Sequence, residues 1–409
     1  MPMTRYALMD LELQDPTPVL EVPLGYQGLA VVFRRGGRVV GFELEALLPG
    51  GSPEIRSRAS QAARRGLLTA LQEDIRRELA PQSARPANPS VTVVICTHNQ
   101  TERLARCLAS LERMEQPAGA GRPEILVVDN APPNDATECL VRLSAGVRYV
   151  QELRQGLDFA RNRAIAEATG EILAFLDDDV VADRFWYQAL LEAINQAPGA
   201  GAVTGSLLPF ELETTAQVLF ERRGGFRRGF EYRCYAGQDL PGNPLYPCGA
   251  GIFGTGGNMA FRRSVLQELG GFDEALDTGR PLAGGGDLDM FYRVIRAGHP
   301  LVYDPSVVGF HQHRRTRAQL RRQYWTWGTG FMAYARKSYL ADPPMRSRWR
   351  RMVIWWFKDQ VRSLLHSVIG RNPTPPGMVL AELAGGVIGI AGEYERSLRR
   401  VQRIREAVS

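Results

Sequence analysis

Three consecutive carboxylates, Asp177, Asp178 and Asp179, follow directly on the apolar run Ile172-Leu-Ala-Phe-Leu176. The run reads as a buried parallel strand. A strand end that opens into an acidic turn is where α/β sheets hold their ligands. Like charges this close repel one another, and a hard divalent cation relieves the repulsion because carboxylate oxygens suit Mg²⁺ or Mn²⁺. The competing expectation is an acidic turn in front of a helix that starts near Asp183.

Five other stretches offer side chains or open backbone to a ligand. Thr97 and Asn99 end the apolar run Val91–Ile95, and Asp129 and Asn130 end Glu124–Val128. Gly254-Thr-Gly-Gly-Asn-Met-Ala-Phe-Arg-Arg263 offers backbone without side chains, which a ligand can approach closely; an ordinary turn has the same composition. In Gly284-Gly-Gly-Asp-Leu-Asp289, Asp287 occupies an expected N-cap, where the helix end favours a charged carboxylate. Such a group is either a general base on a glycine-rich lip or a structural cap. His311 and His313 stand two apart, on one side of an extended chain. They can meet metal or phosphate, or lie at the surface beside Arg314 and Arg315.

These positions need a scaffold, and the chain supplies alternating strands and helices. Val91–Ile95, Glu124–Val128, Val147–Val150 and Ile172–Leu176 read as strands. Helices are expected from Thr101 to Arg113, over 134–145, and from an Asp158 N-cap to Gly170. That alternation predicts an α/β domain with a mostly parallel sheet flanked by helices. The polar residues after three strands then converge on one rim, the place of a nucleotide site. Leu288, Phe291, Tyr292 and Ile295 fit one face of a helix that stops at Gly298.

The flanks differ from this core. Residues 1–80 read as a small N-terminal α+β module, with a hairpin over Leu29–Phe33 and Arg38–Phe42 and a helix over Ile55–Leu79. Residues 81–90 have linker composition, residues 91–315 form the main domain, and residues 316–409 a C-terminal helical region. With 409 residues, 44% hydrophobic and 23% charged, the chain has the make-up of a globular protein with a real core. The net charge of +6 comes from arginines between Arg314 and Arg351 and near the C-terminus, which suits phosphate or an anionic membrane surface. No motif of a nucleic-acid reader occurs. The five cysteines form no CxxC pair, so reduced thiols are expected rather than a disulfide framework or zinc site. The N-terminus has no basic-then-apolar leader pattern, and no uninterrupted apolar run reaches membrane-spanning length.

Six pieces occur in an order that resembles the family 2 glycosyltransferases, inverting enzymes of the GT-A fold. They are Val91-Thr-Val-Val-Ile-Cys-Thr-His-Asn99, Val127-Val-Asp-Asn130, Gly156 with Ala160-Arg-Asn162, Phe175-Leu-Asp-Asp-Asp179, Gly256-Gly-Asn-Met-Ala-Phe-Arg262 and Gly286-Asp-Leu-Asp289. The resemblance implies a nucleotide-sugar donor, most commonly a UDP-sugar, and Mn²⁺ or Mg²⁺ as cofactor. It implies a donor site of Thr97, Asn99, Arg103, Asp129, Asn130, Gly156, Arg161, Asp177 and Asp178. Asp179, Asp177 and His311 would hold the metal, with Asp179 as the direct ligand of the DxD motif. Gly256, Gly257 and Asn258 would face the acceptor, a saccharide or lipid-linked saccharide. Asp287 corresponds to the catalytic base, with Asp289 as the alternative, because many relatives have Glu-Asp where this chain has Gly286-Asp287. The role is then polysaccharide or glycolipid synthesis in the cytoplasm. Rival readings are a sugar-phosphate nucleotidyltransferase, a phosphatase whose strand ends in Asp-x-Asp, and a non-catalytic sugar-nucleotide-binding scaffold.

The C-terminal segment Arg346-Ser-Arg-Trp-Arg-Arg-Met-Val-Ile-Trp-Trp-Phe-Lys358 combines arginines with three tryptophans. It is expected to make peripheral contact with the inner face of the plasma membrane. The alternative is that its aromatic residues form the core of a helical cap over the acceptor site.

Overall fold

The computed structural model describes residues 4–13, 23–46, 68, 71, 72, 75, 88–279 and 281–408. Most of the helix expected over Ile55–Leu79 and most of the linker expected over 81–90 lie outside the described residues.

The N-terminal sheet has three strands, β1 (Ala7–Glu12), β2 (Gly28–Arg35) and β3 (Arg38–Ala46). β2 and β3 form the expected antiparallel pair, and β1 adds parallel to β2. Its inner face carries Tyr6, Val32 and Phe42 against Leu208, Leu212 and Val308 of the main body. Arg34 pairs with Asp183 at 2.7 Å and Arg38 with Glu192 at 2.6 Å across the same contact.

The main body runs β4 (Val91–Thr97), α1 (Thr101–Glu112), β5 (Glu124–Asn130), α2 (Ala136–Arg142), β6 (Val147–Glu152), α3 (Leu157–Glu167) and β7 (Ile172–Leu176). A short β8 (Val180–Ala182) separates the acidic turn from α4 (Trp186–Gln196), which begins three residues after Asp183. There follow β9 (Ala202–Pro209), α5 (Thr215–Arg222), β10 (Arg233–Tyr235), β11 (Asn258–Arg262), α6 (Arg263–Glu268), β12 (Asp277–Gly279), β13 (Leu282–Ala283), α7 (Gly286–Arg296) and β14 (Leu301–His311). The central sheet has the order β10-β14-β9-β11-β7-β4-β5-β6, with β8 beside β14. β7, β4, β5 and β6 are parallel, as the alternation demands, and β14 is parallel to β9. β10 and β8 pair antiparallel with β14, and β11 inserts antiparallel between β7 and β9. Its insertion lays the segment before it, with Gly256 and Gly257, beside the end of β7.

Strand alternation decides which side chains cover which face. Val94, Leu173 and Phe175 point into the core beneath α3 and α7, while Val93, Ile95, Ala174 and Leu176 point into the core beneath α1 and α4. Both faces are therefore covered, which is why these strands read as continuous apolar runs.

Four helices close the chain: α8 (Arg317–Ala341), α9 (Arg346–Val368), α10 (Pro376–Ile388) and α11 (Tyr394–Val408). α8 starts in a capping box between Thr316 and Gln319. α8 and α10 touch backbone to backbone. A Cβ at Gly328 would lie 1.9 Å from the Glu382 carbonyl oxygen, and one at Gly385 2.1 Å from that of Trp325, so only glycine permits this approach. Trp349 of α9 is fully buried against Tyr292 of α7 and Tyr334 of α8. The C-terminal helices are thus fastened to α7, which carries Asp287 and Asp289. The stretch Pro376–Val408 is long and apolar enough to cross a membrane by length and composition, but it kinks at Gly392 (φ 87°) and packs on α8.

Candidate active site

A cavity of about 580 Å³ opens where the ends of β7 and β14, the loop before β11, and α7 meet α8. Asp177, Asp179, Arg161, Gly256, Gly257, Asp287 and His311 all line it. Seven of the positions singled out in the sequence are therefore neighbours in space. The C-terminal region adds Trp327, Phe331 and Trp356 to the lining, and α5 and the segment after it add Arg223, Arg228, Phe220 and Phe226.

The three carboxylates of the acidic turn have different surroundings. Asp178 accepts from Thr97 Oγ1 at 2.7 Å. Burial, reinforced by the neighbouring Asp179, pushes it up to about 7. Burial and Asp179 likewise push Asp177 up to about 6. Asp179 goes the other way: burial opposes its charge, but His311, Arg314 and Arg103 together hold its carboxyl below the ordinary value. Their atoms lie 3.4, 3.4 and 3.6 Å from its oxygens. His311 is kept neutral by burial, which depresses it to about 3 against the pull of Asp179.

Such a donor set suits a hard divalent ion on the carboxylate side, with one imidazole nitrogen beside it. Among the described residues no three His, Cys, Asp or Glu side chains converge as a ready-made metal site. A cation held by Asp179 and His311 would thus need further oxygens from a bound ligand.

Asp287 belongs to the first turn of α7 but is not its N-cap. That position is Gly285, in a left-handed conformation (φ 112°). Asp287 Oδ2 accepts from Gly256 N at 2.8 Å and Oδ1 from Leu288 N at 2.9 Å. The two amides fix the carboxylate at the cavity wall. Asp289 is different. It is fully buried, accepts from Arg293 Nε at 2.7 Å and pairs with Lys337, so it ties α7 to α8 and does not line the cavity. Asn258, expected at the acceptor, is also buried away from it. Its Nδ2 donates to the carbonyls of Ser206 and Val307 at 3.0 and 2.8 Å, and its Oδ1 accepts from Trp186 at 2.9 Å. It clamps β9, β11, β14 and α4.

Asp158 is not a cap either, because Gly156 (φ 145°) precedes α3. Its carboxylate is fully buried and accepts from Arg161 at 2.9 Å. Burial, relieved in part by Arg161, pushes it up to about 7. The other oxygen, Oδ2, has no hydrogen bond and lies where a side chain at 286 would begin. A Cβ at Gly286 would be 2.0 Å from it. This explains the glycine: Asp158 fills the space that a glutamate at 286 would need. Arg161 also faces Asp277 at 3.6 Å and stacks on Phe272.

The remaining expected donor residues stand off the cavity wall. Asp129 is buried and accepts from Tyr149 at 2.9 Å. Asn130 spends its amide on backbone, taking Gly156 N at 2.9 Å and donating to Arg154 O at 2.7 Å. Thr97 reaches the site through Asp178, and Arg103 through Asp179. Asn99 sits exposed after β4 with φ 52°. Asp277, Arg228, Trp327, Phe331 and Trp356 line the cavity without having been singled out there. Of these, only Trp356 carried a local signal, within the segment 346–358 expected as a membrane contact or a cap.

Residues 92–270 match the model described as glycosyl transferase family 2. The chain is 28% identical over 311 residues to the pre-mycofactocin glycosyltransferase of Mycobacterium tuberculosis, covering 70% of this chain and 59% of that protein. It therefore spans about three fifths of that relative's length. It is 31% identical over 224 residues to the succinoglycan biosynthesis protein ExoM of Rhizobium meliloti, covering 53% of this chain and 64% of that one. A solved mannosyltransferase from Pyrobaculum calidifontis, in complex with GDP-Man and Mn²⁺, is 21% identical with a TM-score of 0.47, covering 80% of this chain and 94% of that one.

Proposed function

Taking residues 92–270 as a glycosyl transferase family 2 domain, we propose that the protein moves a sugar from a nucleotide-sugar donor to a hydroxyl acceptor, with inversion at the anomeric carbon. A UDP-sugar is the donor we favour, and the product belongs to polysaccharide or glycolipid synthesis. The observation that carries this reading is one cavity with Asp177 and Asp179 on one strand end and Asp287 on the facing helix. Asp179 and His311 would hold a divalent cation, which when bound supplies positive charge to a diphosphate leaving group. Asp287 takes the proton of the acceptor hydroxyl. The acceptor oxygen bonds to the anomeric carbon as the carbon–oxygen bond to the diphosphate breaks, and the pair of electrons leaves with the diphosphate. Attack from the side opposite the leaving group gives inversion. Gly256 and Gly257 leave backbone open to the sugar, and the aromatic wall of Trp327, Phe331 and Trp356 offers an apolar face to a saccharide acceptor. The test is incubation with Mn²⁺ and sugar nucleotides, followed by proton NMR. Release of a nucleoside diphosphate with an inverted sugar product is expected. Binding without release would leave a scaffold, and a retained anomer would remove the inverting mechanism.

We also propose peripheral contact of the C-terminal helices with the cytoplasmic face of a membrane. Exposed Ile354, Trp355, Val361, Leu365 and Val368 on α9, and Leu380 and Val387 on α10, support it, as do exposed Arg350 and Arg351. The five cysteines are free thiols, in keeping with a reducing compartment. The tryptophans divide between the two expectations: Trp349 and Trp356 are buried in the cap, and only Trp355 is half exposed. Arg348 is engaged with Asp239 and with the carbonyls of Gln238 and Tyr246, so Arg350 and Arg351 are the residues to change. Flotation with liposomes should increase with anionic lipid and fall with salt and in Arg350→Gln/Arg351→Gln. A protein that stays unbound at low salt on strongly anionic liposomes removes the idea.

A further inference from the structure

Behind His311 runs a buried polar chain that the mechanism above leaves unused. His311 Nδ1 faces His313 Nδ1 at 2.8 Å, His313 Nε2 faces Glu221 Oε1 at 2.7 Å, and Arg227 Nη2 lies 3.0 Å from Glu221 Oε2. His311, His313 and Glu221 are 5%, 1% and 1% exposed. Phe220 packs edge-on against His313 and Phe226 against His311, with ring centroids 4.7 and 4.8 Å apart. The chain joins the end of β14 to α5 and the segment after it, in the wall of the cavity.

Hydrogen-bond direction along this chain is set from its far end. A glutamate carboxylate only accepts. Burial opposes the charge on Glu221, but His313 and Arg227 outweigh it and hold the carboxyl below its ordinary value. Glu221 therefore takes the Nε2–H of His313. A neutral imidazole with a proton on Nε2 has a bare Nδ1, which must accept. The proton between the two Nδ1 atoms then belongs to His311. His311 is left with a lone pair on Nε2, and that atom faces Asp179 Oδ1 at 3.4 Å. Two acceptors facing each other repel, and a cation bound by both turns that repulsion into attraction.

We infer that Glu221 and His313 are positioning residues: they lock His311 in its Nδ1–H tautomer and so present Nε2, with Asp179, to a divalent cation. The inference rests on the metal-dependent reading above for its purpose, but not for its geometry. If His313 instead carried protons on both nitrogens, its Nδ1–H would point at His311, and His311 Nε2–H would cap Asp179 and oppose the cation. The two arrangements differ at observable nitrogens.

The experiment has two arms. Nitrogen-15 NMR of the histidine-labelled protein without metal reads the tautomers directly. A protonated Nδ1 and bare Nε2 on His311 are expected, with the reverse on His313; a protonated Nε2 on His311 overturns the inference. In the second arm Mn²⁺ is titrated, by electron paramagnetic resonance, into protein with excess UDP or GDP. His313→Leu and Glu221→Leu should weaken Mn²⁺ roughly 10–100-fold, the usual effect of removing an outer partner of a metal-bound histidine. His313→Gln should stay near wild type, because its amide accepts through one atom and donates through the other. Equal affinity in a folded His313→Leu, or a His313→Gln as weak as His313→Leu, overturns it. Thermal melting of each variant separates loss of fold from loss of positioning. A wild-type protein that binds no Mn²⁺ under any condition would defeat the functional reading and the inferred purpose, while the NMR arm would still decide the tautomers.

Discussion

Replacing Asp287 with Asn is expected to lower sugar transfer about 10²–10⁴-fold, the usual worth of a positioned general base, and to leave donor affinity near wild type. The substitution is nearly isosteric. The amide oxygen can still accept from Gly256 N, which now bonds Oδ2 at 2.8 Å, so the loop before β11 keeps its anchor. What disappears is the ability to take a proton at the cavity wall. Asp289 supplies the control. Its carboxylate is buried between Arg293 and Lys337, and removing one partner of a buried ion pair costs about 3–5 kcal/mol. Asp289→Asn should therefore lower the melting temperature, with its effect on transfer following from lost stability. Measuring kcat, donor affinity and melting temperature for both variants checks this. A folded Asp289→Asn without transfer, beside an active Asp287→Asn, would move the base to Asp289.

Asp179→Asn is expected to remove the Mn²⁺-dependent part of nucleotide binding. Asp179 is the carboxylate of the acidic turn on which His311, Arg314 and Arg103 all converge. An asparagine there keeps the size but loses the charge that a hard cation requires. Calorimetry with UDP or GDP, in Mn²⁺ and in EDTA, should give two different affinities for wild type and one, the weaker, for the variant. Asp178→Asn should do less, since Asp178 is directed at Thr97 rather than into the cavity. Equal wild-type affinity in EDTA, with no change in Asp179→Asn, would defeat the metal assignment.

What the sequence made legible was local. Apolar runs at Val91–Ile95 and Ile172–Leu176, each followed by polar residues, announce parallel strands and their functional ends, because both properties are written in adjacent residues. The partners of those ends were not legible. Nothing near Asp289 in sequence announces Lys337, and nothing near Asn258 announces Trp186, so a buried ion pair and a structural clamp read as site residues. Asp158 and Asp287 read as N-caps by composition. The glycines before them take the left-handed or extended-positive conformations that end the loops (φ 145° and 112°), which shifts both carboxylates into the helix and changes what they touch. The antiparallel β11 was also hidden, since a single strand's direction is fixed by its neighbours. His311 and His313 beside two arginines look like surface residues until α5 brings Glu221 beneath them.

On the proposed reading the cavity binds a sugar nucleotide with help from a divalent cation. The most direct measurement is calorimetric titration of the wild-type protein with a panel of UDP-, GDP-, dTDP- and ADP-sugars, each in Mn²⁺ and in EDTA. Binding of one nucleotide class in Mn²⁺, at least about tenfold weaker in EDTA, equivalent to about 1.4 kcal/mol, is the predicted result. No binding by any member of the panel, or the same affinity with and without the metal, would contradict it.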